Sequence, residues 1–579
     1  MVSFSSFPSG PGLHLLLALF LFASRLPVAA QAPTWQAARA VAAATSAASN
    51  DYSEVRATAV DAAGNVYLAG NFTNTMVLGG TSLVSRGGHD VFVAKFNPTS
   101  NQFVWAQRAG GSGTDQAYAL AVSGTSVYVA GTFDSFTIAF GSTTLTNALP
   151  GPGPITSLDA FVAKLTDAGP TGSFAWAQRA GGTGDDQAFA LAVSGTSVYV
   201  AGGFASPTAG FGNTALANAG SYDAFVAKLV DAGPAGGFVW AQRAGGAGEE
   251  AARALAVSGA VVYVAGYFSS FGAGFGSTFL SSAGSFDAFV AKLADAGATG
   301  TFAWAQRAGG SAFDYGSAVV ASGTSVYVAG TFSATAGFGP TTLISDGITD
   351  AFVAKLTDAG PAGSFAWAER AGGAGSDYPG ALAVSGTSVY VAGAFDGPTA
   401  DFGAVRLPNA RAGFYDVFVS KLTDAGASGN FAWAQRAGGT GLDVASALVV
   451  SGTGVYVAGY FGSSTANFGT VTLSNPNFNP NSNTLGFLAT LTDPTLTATA
   501  AAGPRAPAAL FPNPARHTAT LRLPAGAAPA PLVLMDAQGR VVRRYPAPAS
   551  PEAVLDLKGL PAGLYLLLGA GPTQRLEVE

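Results

Sequence analysis

The 579-residue chain has no cysteine, three histidines and three methionines, and only 10% of its residues are charged. No disulfide can brace it, so stability must come from packing. His14, His89 and His517 leave little material for histidine catalysis or a histidine metal site. Lysine and arginine nowhere cluster, and a net charge of −6 with pI ≈ 5.1 argues against a nucleic-acid partner. The longest apolar run, 13–23, falls short of the ~20 residues that span a bilayer. No transmembrane segment is therefore expected, despite a mean hydropathy of +0.33. What abounds is glycine (78), phenylalanine (40) and apolar residues (49%), which excludes disorder for the bulk of the chain. One core is not expected at this length, since single cores stop growing at roughly 250–300 residues.

Both ends read as addresses. The run LHLLLALFLFA is followed by Val28-Ala29-Ala30, small residues placed as at a cleavage site, so 1–30 has the pattern of a secretory signal peptide, although no lysine or arginine precedes the run. Residues 493–509, rich in Ala, Thr and Pro and without periodicity, read as a linker. In 510–579 the pattern predicts strands at 519–523, 532–535, 541–545, 553–557, 564–568 and 575–578, with a hairpin turn at Asp536-Ala537-Gln538-Gly539.

Three motifs in this module occur in order: Phe511-Pro512-Asn513-Pro514, the turn from Asp536 to Arg540, and Leu560-Pro561-Ala562-Gly563-Leu564-Tyr565. They resemble the type A C-terminal sorting domain of the bacterial type IX secretion system. The resemblance implies a β-sandwich signal that engages that machinery through 510–579 and is usually cleaved on attachment to surface lipopolysaccharide. Pro512, Asn513, Pro514, Gly539, Gly563 and Tyr565 carry it. The expected location is secreted or on the outer cell surface. The alternative is an ordinary C-terminal β-domain with a carbohydrate-binding role.

Between these ends, 31–492 repeats. Trp105, Trp176, Trp240, Trp304, Trp367 and Trp433 recur in WA[QE]R at spacings of 71, 64, 64, 63 and 66 residues, and TWQAAR around Trp35 is taken as the seventh copy. VY[VL]AG recurs seven times, and D[AV]FV[AS]K six times before decaying around Phe487. Each unit reads as four strands, as at 190–194 (A), 198–204 (B), 224–229 (C) and 238–243 (D). Strict alternation would point Phe174, Trp176 and Gln178 one way and Ala175 and Ala177 the other, giving a bulky face and a flat one suited to stacking. Strand D is missing once after residue 50, and the Trp35 segment would supply it to the last unit. The expected fold is all-β, a seven-bladed β-propeller of four-stranded blades with the N-terminal strand closing the last blade, followed by a small β-sandwich. The repeats resemble those of secreted bacterial β-propeller proteins with the pattern YVAG-F…FG…DAFVAKL, a family with no shared activity.

Strand directions place the long B–C loops and the D–A loops on one face. The D–A loops repeat an acid after two glycines: Asp115, Asp185, Asp186, Glu249, Glu250, Asp314, Asp377 and Asp443, with Asp51 as the first copy. Such carboxylates could ring an axial mouth and bind cations or sugar hydroxyls, or fix their own turns by accepting backbone N–H groups. No cofactor is expected; calcium would suit such carboxylates, but no specific motif supports it. The repeated lysine of strand C and arginine of strand D read as partners of the repeated acids within a blade. No catalytic constellation is present, so the chain is expected to be a monomeric, surface-displayed non-enzyme that binds a glycan or protein ligand through its top-face loops. Two alternatives stay open. One is a polysaccharide hydrolase or lyase at the axial mouth, for which Tyr118, Tyr315, Tyr378 and the adjacent Asp185 and Asp186 are the weak candidates. The other is a structural spacer.

Overall fold

The computed structural model describes residues 33–41, 52–149, 157–476, 478, 483–496, 509–522, 531–536, 540–548, 550, 552–568 and 574–579. The signal-peptide pattern, Asp51, Gly539 and most of the linker lie outside the described residues. Every regular element among those described is a β-strand, and the chain is an all-β, propeller-like assembly. No helix is long and apolar enough to cross a membrane.

The working unit is a four-stranded antiparallel meander. One runs Asp186–Ser194, Ser197–Phe204, Asp223–Asp231 and Gly236–Ala244, with spatial order equal to chain order. Valine, tyrosine and phenylalanine suit a pleated, buried surface, and Gly195 at φ +60° makes the first tight turn. Six meanders follow this plan. A further sheet joins Asp443–Ser451, Gly454–Phe461 and Leu485–Thr492 to the N-terminal strand Thr34–Val41, which places Ala40 opposite Phe487. One apolar cluster holds Val55 and Phe72 of the first meander together with Ala458 and Leu488 of this last sheet.

Two expectations need correction. The outermost strands carry a β-bulge, in one case at Ala175, so Trp176 faces Lys164 while Phe174 faces Leu165. The bulge breaks the strict alternation. Phe174 and Ala177 pack with Phe140 and Phe161, while Ala175 and Trp176 pack with Val200 and Phe225 on the other side. The same register moves Trp35. It lies opposite Leu491 with the bulge at Gln36, so it occupies the place of Phe174, not of Trp176, and Ala37 stands where the repeated tryptophan stands elsewhere. Its ring meets Phe468 edge-on at 5.2 Å, as Phe238 meets Phe211 at 5.6 Å.

The long loops between second and third strands are not free. Each folds a short hairpin, such as Thr208–Phe211 with Thr214–Ala217, and most bond back to the preceding sheet, as in the Gly181–Gly210 bridge. A second tie joins neighbouring sheets. Asp231, at the end of a third strand, accepts from Tyr128, Lys164 and Trp176 of the sheet before it. Asp167, Asp295, Asp358 and Asp424 repeat the arrangement. The lysines therefore pair between sheets. Only the arginines pair within one, as Arg243 does with Asp223 at 2.8 Å.

In the C-terminal module, Ala509–Phe511, Thr518–Arg522 and Glu552–Asp556 form one sheet, and Val541–Tyr545, Leu532–Asp536, Gly563–Leu568 and Gln574–Val578 another. Both sheets contribute to a single core around Leu521, Leu534, Leu555, Leu567 and Leu576. Asn513 ties the last strand down, donating to Arg575 O and accepting from Glu577 N, each at 2.8 Å. Tyr565 is buried and donates to Pro561 O at 2.7 Å.

Candidate functional site

The repeated acids are at the starts of the innermost strands, but they face inward. Asp115, Asp186, Glu250, Asp314, Asp377 and Asp443 are buried. Each accepts the backbone N–H of the glycine four residues earlier, as Asp186 does from Gly182 at 2.6 Å, and Asp186 also accepts from Ser206 Oγ at 2.5 Å. This is turn fixation. Burial pushes the carboxyls of Asp115, Asp314 and Asp443 up to about 7 and that of Asp186 up to about 6. Asp185 instead stays exposed and accepts from Leu158 N, so the adjacent pair Asp185 and Asp186 point apart and do not form a catalytic pair. Glu249 accepts from the Tyr267 hydroxyl at 3.0 Å. In the first unit the register puts Ser53, opposite Phe72, in the place of the acid. His89 stacks on Tyr52 at 4.6 Å, and burial lowers its pKa. Among the described residues no three His, Asp or Glu side chains gather as a metal site.

A different position converges. Three residues beyond the acid, every innermost strand carries a β-bulge: between Val55 and Ala57, Ala117 and Ala119, Ala188 and Ala190, and at the same place in the other four. A bulge leaves one residue outside the ladder and re-aims its side chain. The bulged residues are Arg56, Tyr118, Phe189, Arg253, Ser317, Gly380 and Ser446, and all seven line one cavity of about 430 Å³, together with Tyr378. None of the repeated acids lines it.

The cavity wall is asymmetric. Tyr118 and Phe189 are tilted neighbours with ring centroids 5.6 Å apart. The Arg253 guanidinium lies 4.1 Å from the Phe189 centroid, a cation–π distance. Arg56 is ion-paired with Glu54. Burial by itself would lower the Arg56 pKa, but the Glu54 carboxylate holds it above its ordinary value. One side of the cavity therefore offers aromatic faces and guanidinium donors, the other small hydroxyls.

No protein-family profile and no curated protein matches the chain. Solved structures align with it. A candidate 6-phosphogluconolactonase from Bacteroides uniformis does so at 9% identity and a TM-score of 0.36, over 71% of this chain and 96% of its own. A protein from Lactobacillus plantarum aligns at 11% identity and a TM-score of 0.38, over 72% and 98%. The extracellular region of plexin A4 aligns at 8% identity and a TM-score of 0.24, over 91% and 83%. Such scores carry neither ligand nor activity over to this chain. The expectation that it is a non-enzyme finds no support in these comparisons, one of the aligned structures being described as a candidate lactonase.

The bulged positions had a signal in the sequence. Against the near-constant Ala, Val and Leu around them, the repeats read Arg, Tyr, Phe, Arg, Ser, Gly and Ser at this place. Variation inside an otherwise uniform strand marks it. The acids drew attention because they repeat, and that uniformity is what structural duty requires.

Proposed function

We propose that the chain is a seven-bladed ring, closed by the strand around Trp35, that is exported with the help of its C-terminal module and captures an extracellular ligand in the central cavity. The supporting observation is the bulge shared by all seven innermost strands, which turns seven positions, occupied by five residue types, into one space. Unlike the bulge of the outermost strands, which turns Trp176 into the core, this one turns its residues into open space. The cavity lies within the ~300–1,000 Å³ range of small-ligand pockets. The ligand class is a glycan or a protein segment, recognised by the cavity wall and not by the turn acids. The export reading rests on the ordered motifs carrying Pro512, Asn513, Pro514, Gly539, Gly563 and Tyr565.

The test is a glycan array probed with the full chain and with Ser446→Trp and Ser317→Trp, each of which fills the cavity. Binding by the natural chain that both variants lose supports the reading. Binding that both retain, or a blank array, overturns the cavity as a glycan site. Export is tested separately: removal of 510–579 should retain the protein inside the producing cell, and undiminished surface display would refute that part.

A further inference from the structure

The strand cations of this molecule are matched with few exceptions. The lysine of a third strand meets a carboxylate of the next sheet, as Lys228 meets Asp295 at 2.5 Å, and the arginine of an outermost strand meets one in its own sheet, as Arg179 meets Asp159 at 3.0 Å. In the cavity Arg56 has Glu54. Arg253 is different: among the described residues it pairs with no carboxylate, it is exposed in its strand, and the Phe189 ring lies under its guanidinium. An arginine held by a ring presents its fork of N–H donors in one orientation, and that fork matches the paired oxygens of a carboxylate or sulfate. Around it the hydroxyls of Ser317 and Ser446 can donate and accept, and that of Tyr118, which donates to Gln116 Oε1 at 2.5 Å, can still accept, which suits a polyhydroxylated ligand. The cavity has room for one or a few sugar rings.

We infer that the central cavity takes an acidic sugar, with its carboxylate or sulfate on the Arg253 guanidinium and its hydroxyls among the tyrosine and serine hydroxyls. The inference rests on the reading of this cavity as the ligand site. It explains why an acidic protein keeps a cation without a carboxylate partner on the wall of this cavity, and why that cation sits beside an aromatic ring on which a sugar face can pack.

The experiment is calorimetric titration of the full chain with a trimer of galacturonic acid, a sulfated galactose disaccharide, neutral maltotriose and sodium sulfate. The expected result is binding of the acidic sugars, roughly tenfold or weaker binding of maltotriose, and negligible binding of sulfate alone. Arg253→Gln should cost the acidic sugars about tenfold or more, and Arg253→Lys, which keeps the charge but not the fork, should fall between. Added salt should weaken the acidic sugars and leave maltotriose unaffected. Acidic-sugar binding unchanged in Arg253→Gln would overturn the inference, as would binding of none of the acidic probes. Maltotriose bound as tightly as the acids and lost in Ser446→Trp would overturn the acidic class while leaving the cavity as the site. Acidic sugars bound equally by natural chain, Ser446→Trp and Ser317→Trp would place binding elsewhere and remove the cavity reading itself. Sulfate bound as tightly as the sugars would reduce the site to a simple anion hole.

Discussion

The indole Nε1 of Trp176 donates to Oδ1 of Asp231 at 3.2 Å, from one sheet to the next. The other oxygen of Asp231 takes the Tyr128 hydroxyl and the Lys164 ammonium, each at 2.6 Å. Gly236 of that next sheet lies so near the Trp176 ring that a Cβ there would fall 2.6 Å from it. One carboxylate thus gathers three donors at the border, and one glycine lets two sheets close on a tryptophan.

Asp231→Asn should therefore destabilise the protein by about 3 kcal/mol, because it leaves the buried Lys164 ammonium without its counter-charge. Burial alone would raise the Asp231 pKa, but Lys164, Tyr128 and Trp176 hold it below the usual carboxylate range. A depressed folded pKa contributes stability that is present above the unfolded value near ~3.9 and lost as pH falls through the folded one. Denaturation midpoints measured across acid pH should accordingly show a shallower acid loss in the variant. Equal midpoints at neutral pH would refute the tie.

Gly236→Ala should cost about 1–3 kcal/mol, since the added methyl meets an indole that Asp231 already holds. Gly237 is the built-in control. A Cβ there meets nothing within 4 Å, so Gly237→Ala should stay within about 0.5 kcal/mol of the natural chain. Chemical denaturation of the two variants side by side decides it.

Asp377 lies buried near Asp350, with Gly372 between them and one oxygen of each without a hydrogen-bond partner. Burial first, and Asp350 second, push the Asp377 carboxyl up to about 8. Its folded pKa is raised, so between roughly pH 4 and that value the folded state holds a proton that the unfolded chain has released. Stability should fall as pH rises across this window. Asp377→Asn, which keeps an acceptor for the Gly373 N–H but has no proton to lose, should flatten that slope and melt higher than the natural chain at pH 8. A parallel pair of melting curves against pH would contradict the assignment.

The border between the first and last sheets is where exchange should be fastest. Thr490 stands in the lysine's place and Ala37 in the tryptophan's, and Pro98 replaces the aspartate, so this border has none of the carboxylate ties found at the others. It relies on Ser53 Oγ, which donates to Val41 O and accepts from Gly486 N, and on the apolar contacts of Val41 and Leu488 with Val55. Amide hydrogen exchange should be faster in Leu485–Thr492 than in the equivalent Asp223–Asp231. Trp35→Ala acts at a different border, with the preceding sheet, where Nε1 donates to Arg436 O at 3.1 Å, and should cost about 3–5 kcal/mol without changing the first–last border. Uniform protection across these third strands would argue against a weaker border.

Most strand positions were legible because each unit repeats the same valines, tyrosines and glycines. The six strands expected in the C-terminal module match six of the seven observed ones to within a residue or two, while Ala509–Phe511, at the edge of the expected linker, was not expected. The Trp35 register was not legible, since TWQAAR matches the tryptophan motif by letter and only the bulge at Gln36 shows which ring it replaces. Nor was the destination of the repeated lysines. A charge in one repeat can reach an acid in its own sheet or in the next, and spacing along the chain is silent on which.

By itself the sequence determined a chain of repeated antiparallel sheets without disulfides, because periodicity, turn glycines and alternating size act over a few residues and recur. The tertiary structure decided what those sheets make between them. It buried the repeated acids as turn anchors, carried Lys164 across to Asp231, and brought Arg253, Tyr118 and Phe189, more than sixty residues apart in pairs, onto one cavity wall. The physical reason is that a bulge is a property of a paired strand. Which side chain it releases, and what lies opposite, exists only once distant strands have packed.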